Sequence, residues 1–204
     1  MISSKEPCSP IFAPRLLYIY RANELDEEKK KKREKKKKEK EEKQVNEDVK
    51  SKEVRIRHIG GNRCCGSPLI HDANNKIIGV NIEDMNEKML LQSKRHLGRG
   101  KMFCSHYILS LTASEKLDDL TWLDIATDYM EKMGYDKTTV WTSALHQDTD
   151  NEHLHIVACR VKNDGSLVND KNDYEKSCKA VRDIEKKFGL VKCENFDKTF
   201  TKEE

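Results

Sequence analysis

Runs of β-branched and aromatic residues alternate with amphipathic segments along most of this chain. Apolar residues spaced three and four positions apart predict helices at 83–97, 122–133 and 174–188, and each of these segments is followed by a glycine, which favours a helix end. The predicted strands lie at 54–59, 103–112, 138–145 and 153–161. This alternation predicts one compact domain of mixed helix and sheet.

The segment at 24–53 does not fit this pattern. It contains 13 Lys or Arg and 11 Asp or Glu, and its three apolar residues form no stripe. Such a segment has little to bury, so we expect an exposed inserted helix or a linker. A nucleic-acid-binding arm is the less favoured alternative, because the acids nearly cancel the bases. The expected organisation is an N-terminal segment at 1–23, the charged insertion or linker at 24–53, a core at 54–190 and a polar tail at 191–204.

Composition and short motifs exclude several classes of protein. The 204 residues carry a net charge of +3, so a nucleic-acid surface would have to be a local patch. No apolar run is long enough for a membrane span or a secretory signal, and we expect a cytoplasmic protein with no membrane partner. The seven cysteines include no Cys-x-x-Cys pair, which argues against a disulfide framework. The Gly-Arg-Gly-Lys stretch at 98–101 lacks the rest of a phosphate loop, so no nucleotide cofactor is expected.

Three of the seven histidines fall within ten residues, in the sequence HQDTDNEHLH at 146–155. His153 and His155 share one face of a predicted strand, because successive side chains alternate between faces. His146 ends the preceding strand, and the connection between the two strands has hairpin length, so antiparallel pairing brings His146 beside His153. The pattern predicts a cluster of three imidazoles at the end of a sheet.

Three neutral imidazoles with an open coordination position can hold a divalent metal ion such as Mg, Mn or Zn as a Lewis acid. We predict His146, His153 and His155 as its ligands, and Asp148 as a carboxylate that orients one of them. The alternative, that these are ordinary hydrogen-bonded histidines of a sheet, is disfavoured by their short and specific spacing. His106 lies two strands' reach from the cluster; we expect it to be a buried histidine with a hydrogen-bond partner, and a place in the lining of the site is the alternative.

The stretch HQDTDNEHLHIVACRV at 146–161 resembles motif III of the relaxase/mobilisation nuclease family, the His-hydrophobic-His endonucleases that nick plasmid DNA at the origin of transfer. HYILSLTASEKL at 106–117 resembles the family's strand that ends in a serine, and YEKSCKAVRDIEKKFGL at 174–190 resembles its closing helix. The resemblance covers about residues 54–190. It implies an α+β fold of the relaxase nicking-domain type, with a central, mostly antiparallel sheet flanked by helices.

The resemblance also implies an activity, which is site- and strand-specific nicking of single-stranded DNA through a 5′-phosphotyrosine intermediate. Family members carry the nucleophilic tyrosine near the N-terminus in a Phe-x(5)-Tyr segment, and Phe12 and Tyr18 match that spacing. Tyr20 is the reserve candidate, because it would lie on the same face if the segment were extended. Aromatic packing onto the sheet is the alternative role for both tyrosines. Asp148 would assist catalysis only indirectly.

Single-stranded or supercoiled plasmid DNA is the implied partner, and the resemblance allows accessory mobilisation proteins as further partners. Arg160, Ser110, Arg99 and Lys101 are candidates for contacts to the DNA backbone, which position a strand without reading its sequence. Surface or packing roles fit these four residues equally well. Two other functions are compatible with the pattern: a metal-dependent phosphodiesterase that uses water and needs no tyrosine, and a non-catalytic single-strand-binding module.

Overall fold

The computed structural model describes residues 1–9, 12–20, 56–63, 69–71, 73–74, 77–147 and 149–193. These residues form an α+β fold in which helices cover both faces of an antiparallel sheet, so the fold class implied by the resemblance is confirmed. The charged segment at 24–53 and the end of the polar tail lie outside the described residues. None of the described helices is long and apolar enough to span a membrane.

Seven strands are present in the described part of the chain: β1 (Ile2–Ser9), β2 (Ile56–Asn62), β3 (Leu69–His71), β4 (Ile77–Val80), β5 (Cys104–Ser110), β6 (Trp141–His146) and β7 (His153–Cys159). Five of them form the main sheet in the order β1–β5–β7–β6–β2, and every neighbouring pair is antiparallel. The remaining two, β3 and β4, form a separate antiparallel pair. The predicted pairing of β6 with β7 is confirmed.

The described helices are α1 (Ala13–Tyr20), α2 (Ile82–Ser93), α3 (Asp119–Lys132) and α4 (Asp173–Phe188). Local chemistry explains where three of them begin or end. At the start of α2, the Asp84 N–H donates to the side-chain oxygen of Asn81, and Asp118 accepts two backbone N–H groups in the same way at the start of α3. Gly189 ends α4 with a φ of 67°, a left-handed conformation that costs glycine little.

Each face of the main sheet has its own apolar core. On one face α3 and α4 pack against β7, with Trp122 and Ile156 in the same cluster. On the other face α1 and α2 pack through residues such as Leu16 and Met89, which cluster with Val157 of β7. Because side chains alternate along a strand, Val157 lies on the same face as His153 and His155. The histidines therefore belong to the face that α1 and α2 cover.

The sequence-based predictions missed the strands β3 and β4, and the structure also differs from them in two regions closer to the site. The predicted helix at 83–97 ends at Ser93, and Leu97 is 95% exposed in the loop that follows. The N-terminal segment forms β1 and α1, neither of which the apolar pattern predicted. The extended arrangement considered for Tyr20 is therefore incorrect, since Tyr18 and Tyr20 both lie on α1 and residues two apart on a helix point in different directions.

Candidate active site

The register of β6 against β7 builds the histidine cluster. His146 lies directly opposite His153, and His155 lies opposite Ala144, two residues before His146 on β6. One ring nitrogen from each histidine can be chosen so that all three lie within 4.8 Å of one another. His146 and His155 are buried, whereas His153 is half-buried. The hairpin thus brings the three predicted ligands together in one place.

A hydrogen bond through one ring nitrogen orients each of the three histidines. His146 donates through Nε2–H to the backbone oxygen of Ile19 at 2.8 Å, and His153 donates through Nδ1–H to the backbone oxygen of Asn151 at 3.2 Å. The Nδ1 of His155 is 2.9 Å from the Nε2 of His106, and its own Nε2 is buried without a hydrogen-bond partner among the described residues. A buried polar atom without a partner is costly, so the cluster fits a bound cation better than an empty space.

Burial and neighbouring charges keep His155 neutral. Desolvation, followed by the proximity of His146, His106 and His153, lowers the pKa of His155 to about 2. A neutral imidazole has a lone pair to offer, whereas a protonated one does not. The same burial that would make a charged ring costly therefore leaves His155 with a lone pair that could bind a metal ion at neutral pH.

His106 is part of this site rather than an isolated buried histidine. It is 1% exposed, and its ring stacks on that of His155 with the centroids 5.1 Å apart. If His155 offers the lone pair of Nε2, its Nδ1 carries the proton and donates to the Nε2 of His106. The contact between His106 and His155 could not be predicted from the sequence. The two residues are not directly opposite each other, since Ile108 is the residue of β5 that lies opposite His155.

Helix α1 carries Tyr18 to the edge of the cluster. The ring of Tyr18 meets the ring of His155 edge-on with the centroids 5.7 Å apart, and it meets His106 in the same manner at 5.9 Å. Tyr18 is 45% exposed, so it borders both the histidines and solvent. Tyr20 is oriented differently, and its hydroxyl lies 2.7 Å from Oγ1 of Thr142 and 2.9 Å from Nδ1 of His58.

The four residues suggested for DNA contacts lie in different surroundings. Ser110 ends β5 directly opposite His153, beside the cluster. Arg99 and Lys101 are exposed in the loop before β5, at the other end of that strand. Arg160 is 6% exposed, and its guanidinium donates to the backbone oxygens of Met102 and Val168 and pairs with Asp170 at 2.9 Å, so it is committed to internal contacts. Asp148 lies outside the described residues.

Comparison with known families gives one match. The family model for the relaxase of the MobA/VirD2-like type, nuclease domain, matches residues 69–190, which is more than half of the chain. The chain belongs to this relaxase family. The matched part of the relaxase runs from β3 to the end of α4 and contains the three clustered histidines together with His106. Searches of curated proteins and of solved structures each found no match.

Membership of the relaxase family assigns a coarse function. Relaxase nuclease domains nick DNA in mobilisation, and they bind single-stranded DNA. They typically use a divalent metal ion, and the cluster of His146, His153 and His155 is a group of described residues that could hold one. The segment that carries Tyr18 precedes the matched residues, so its link to the site comes from the tertiary contacts of α1 alone.

Proposed function

We propose that this relaxase nicks single-stranded plasmid DNA at a specific site of an origin of transfer, with Tyr18 as the nucleophile. The position of Tyr18 carries the proposal. Its ring contacts His155 and His106 edge-on, and almost half of its surface is open to solvent. A DNA strand that crosses the histidine cluster would meet this tyrosine without any rearrangement of the core.

The proposed metal ligands are the ring nitrogens across from those that make the orienting hydrogen bonds: Nδ1 of His146, Nε2 of His153 and Nε2 of His155. When bound, a divalent ion such as Mg²⁺, Mn²⁺ or Zn²⁺ would act as a Lewis acid that stabilises negative charge on the scissile phosphate. The backbone oxygens of Ile19 and Asn151 and the ring of His106 fix the orientation of the three imidazoles.

In the covalent step, the hydroxyl oxygen of Tyr18 attacks the phosphorus and the bond from phosphorus to the 3′ oxygen breaks. A 5′-phosphotyrosine link forms, and the proton that the tyrosine loses is balanced by the one that the released 3′-hydroxyl gains. One phosphate ester replaces another, so the nick is reversible. Free tyrosine has a pKa of about 10, so attack at neutral pH needs help with proton removal. Asp148 is proposed to help only indirectly.

Ser110 is the best supported of the proposed backbone contacts, because it lies opposite His153 at the edge of the cluster. Arg99 and Lys101 stay predictions for contacts with DNA further along the strand. Arg160 also stays a prediction, although its guanidinium already binds backbone oxygens and Asp170 inside the protein. Supercoiled plasmid DNA and accessory mobilisation proteins are the further partners that this function implies.

The test is covalent trapping. The full chain is incubated with Mn²⁺ and a random-sequence library of single-stranded oligonucleotides labelled at the 3′ end, and labelled protein is sought after SDS denaturation. Because the 5′-phosphotyrosine link retains the 3′ fragment, wild-type protein should become labelled. Tyr18→Phe should abolish labelling while metal binding persists, because only the hydroxyl is removed.

Two further tyrosine variants serve as controls. Tyr174→Phe changes an exposed tyrosine of α4 and should label like wild type. Tyr20→Phe retains the Tyr18 hydroxyl and should still form the adduct when Mn²⁺ is saturating, whereas a nucleotide remnant on Tyr20 in the wild-type adduct would reassign the nucleophile. Cleaved DNA without labelled protein would indicate a water-using phosphodiesterase, and retained DNA without cleavage would indicate a binding module.

A further inference from the structure

The C-terminal end of α1 is hydrogen-bonded to the strands that carry the histidines. Ile19 is fully buried, and its backbone oxygen accepts the Nε2–H of His146 at 2.8 Å. One residue later, the hydroxyl of Tyr20 lies within hydrogen-bond distance of Thr142 on β6 and His58 on β2. Both contacts join α1 to the main sheet on the face of the proposed metal site.

The oxygen of Ile19 is well suited to hold a metal-binding histidine. The last four backbone oxygens of a helix have no acceptor role within it, and Ile19 is the penultimate residue of α1. These oxygens carry the partial negative charge of the helix end, which favours an N–H donor. An acceptor behind a ligand histidine fixes its orientation and makes its other nitrogen more basic. Here the acceptor belongs to the same helix that carries Tyr18.

We propose that metal binding and the docking of α1 are coupled, and that Tyr20 is a positioning residue that maintains this coupling through Ile19. The inference rests on the metal site of the proposed function. Coupling between two equilibria is reciprocal, so if docked α1 strengthens metal binding, bound metal must hold α1 in place by the same factor. The metal site would thereby keep Tyr18 beside the histidines, and the nucleophile would be ordered in the metal-loaded protein.

The experiment combines metal affinity with amide hydrogen exchange on the full chain. Mn²⁺ should slow exchange in α1 of the wild-type protein more than in α4, which packs on the other face of the sheet. Tyr20→Phe, which removes only the hydroxyl, should lower the affinity for Mn²⁺ about tenfold, as loss of support behind a ligand typically does, and should reduce the protection of α1.

Tyr129→Phe is the matched control. It also removes only a tyrosine hydroxyl with a hydrogen-bond partner, here a buried one that lies 2.8 Å from Oγ of Ser177 on the opposite face of the sheet, whereas the Tyr20 hydroxyl is half-buried. A general loss of stability would affect both variants, whereas the coupling predicts unchanged Mn²⁺ affinity in Tyr129→Phe.

The outcomes separate this inference from the proposed function. Mn²⁺ binding to wild-type protein without protection of α1 would overturn the coupling and leave the metal site intact. Equal Mn²⁺ affinity in folded Tyr20→Phe and wild type would overturn the role of Tyr20. Absence of Mn²⁺ binding to wild-type protein would overturn the metal site and the coupling together.

Discussion

Replacing His106 by leucine tests whether the imidazole of His106, which contacts His155, supports the metal site. In the wild-type protein, His106 and His155 are 1% and 2% exposed, and their facing nitrogens are 2.9 Å apart. Leucine would leave the Nδ1–H of a metal-binding His155 buried without an acceptor, which costs about 1–3 kcal/mol. Losing a partner behind a ligand lowers metal affinity about 10- to 100-fold, or about 1.4–2.7 kcal/mol, which is the same range.

The assay is competition for Mn²⁺ against a fluorescent chelator, with thermal unfolding to verify that each variant is folded. His106→Leu should bind Mn²⁺ about 10- to 100-fold more weakly than the wild type. His106→Gln should recover part of this loss, because its amide oxygen accepts a hydrogen bond. His96→Leu is the control, because His96 bonds the backbone oxygen of Gly165 and not a member of the cluster. Wild-type affinity in a folded His106→Leu protein would refute the supporting role.

Three other predictions follow from the described contacts. Replacing His153 and His155 together by alanine should abolish stoichiometric metal binding, and equal metal content in the variant and the wild type would contradict the assignment of ligands. Burial raises the pKa of Cys159 to about 12, so thiol reagents should label it only after unfolding, while the less buried Cys193 reacts in the folded protein. Burial also lowers the pKa of His58, so the unfolded state takes up a proton more readily and stability falls as pH drops below about 6.5. Denaturant unfolding at about pH 7.5 and about pH 5.5 should therefore show a smaller acid-induced loss in His58→Gln than in the wild type, and an equal loss would contradict this account.

The sequence was sufficient to predict those helices and strands whose own residues show a clear apolar periodicity. The stripes that predicted α3 and α4 put Trp122 and Val181 in the core, because helical periodicity gathers apolar residues on one side. The meeting of His146 with His153 was also predictable. Two strands joined by a short connection pair as an antiparallel hairpin, which places His146 opposite His153. Because side chains alternate along a strand, His155 then lies on the same face as His153.

The N-terminal elements depended on contacts that no local pattern encodes. Residues 2–9 lack alternating apolar residues, and their strand exists because it pairs with β5, with Ile2 opposite Ser110. Helix α1 is short, and isolated helices of that length are not stable in water. Its formation relies on burying Phe12, Leu16 and Ile19 on the sheet, which also brings Tyr18 to the histidines.

The amino-acid sequence alone determined the three-histidine cluster, because its members lie close together in the chain, and the resemblance of its motifs to the relaxase family implied the α+β class. Only the tertiary structure decided what surrounds the cluster. His106 reaches His155 through the register of β5 against β7, and Ile19 reaches His146 across more than a hundred residues of chain. Such contacts depend on strand order and helix docking, which the folded core selects as a whole and which spacing along the chain does not specify.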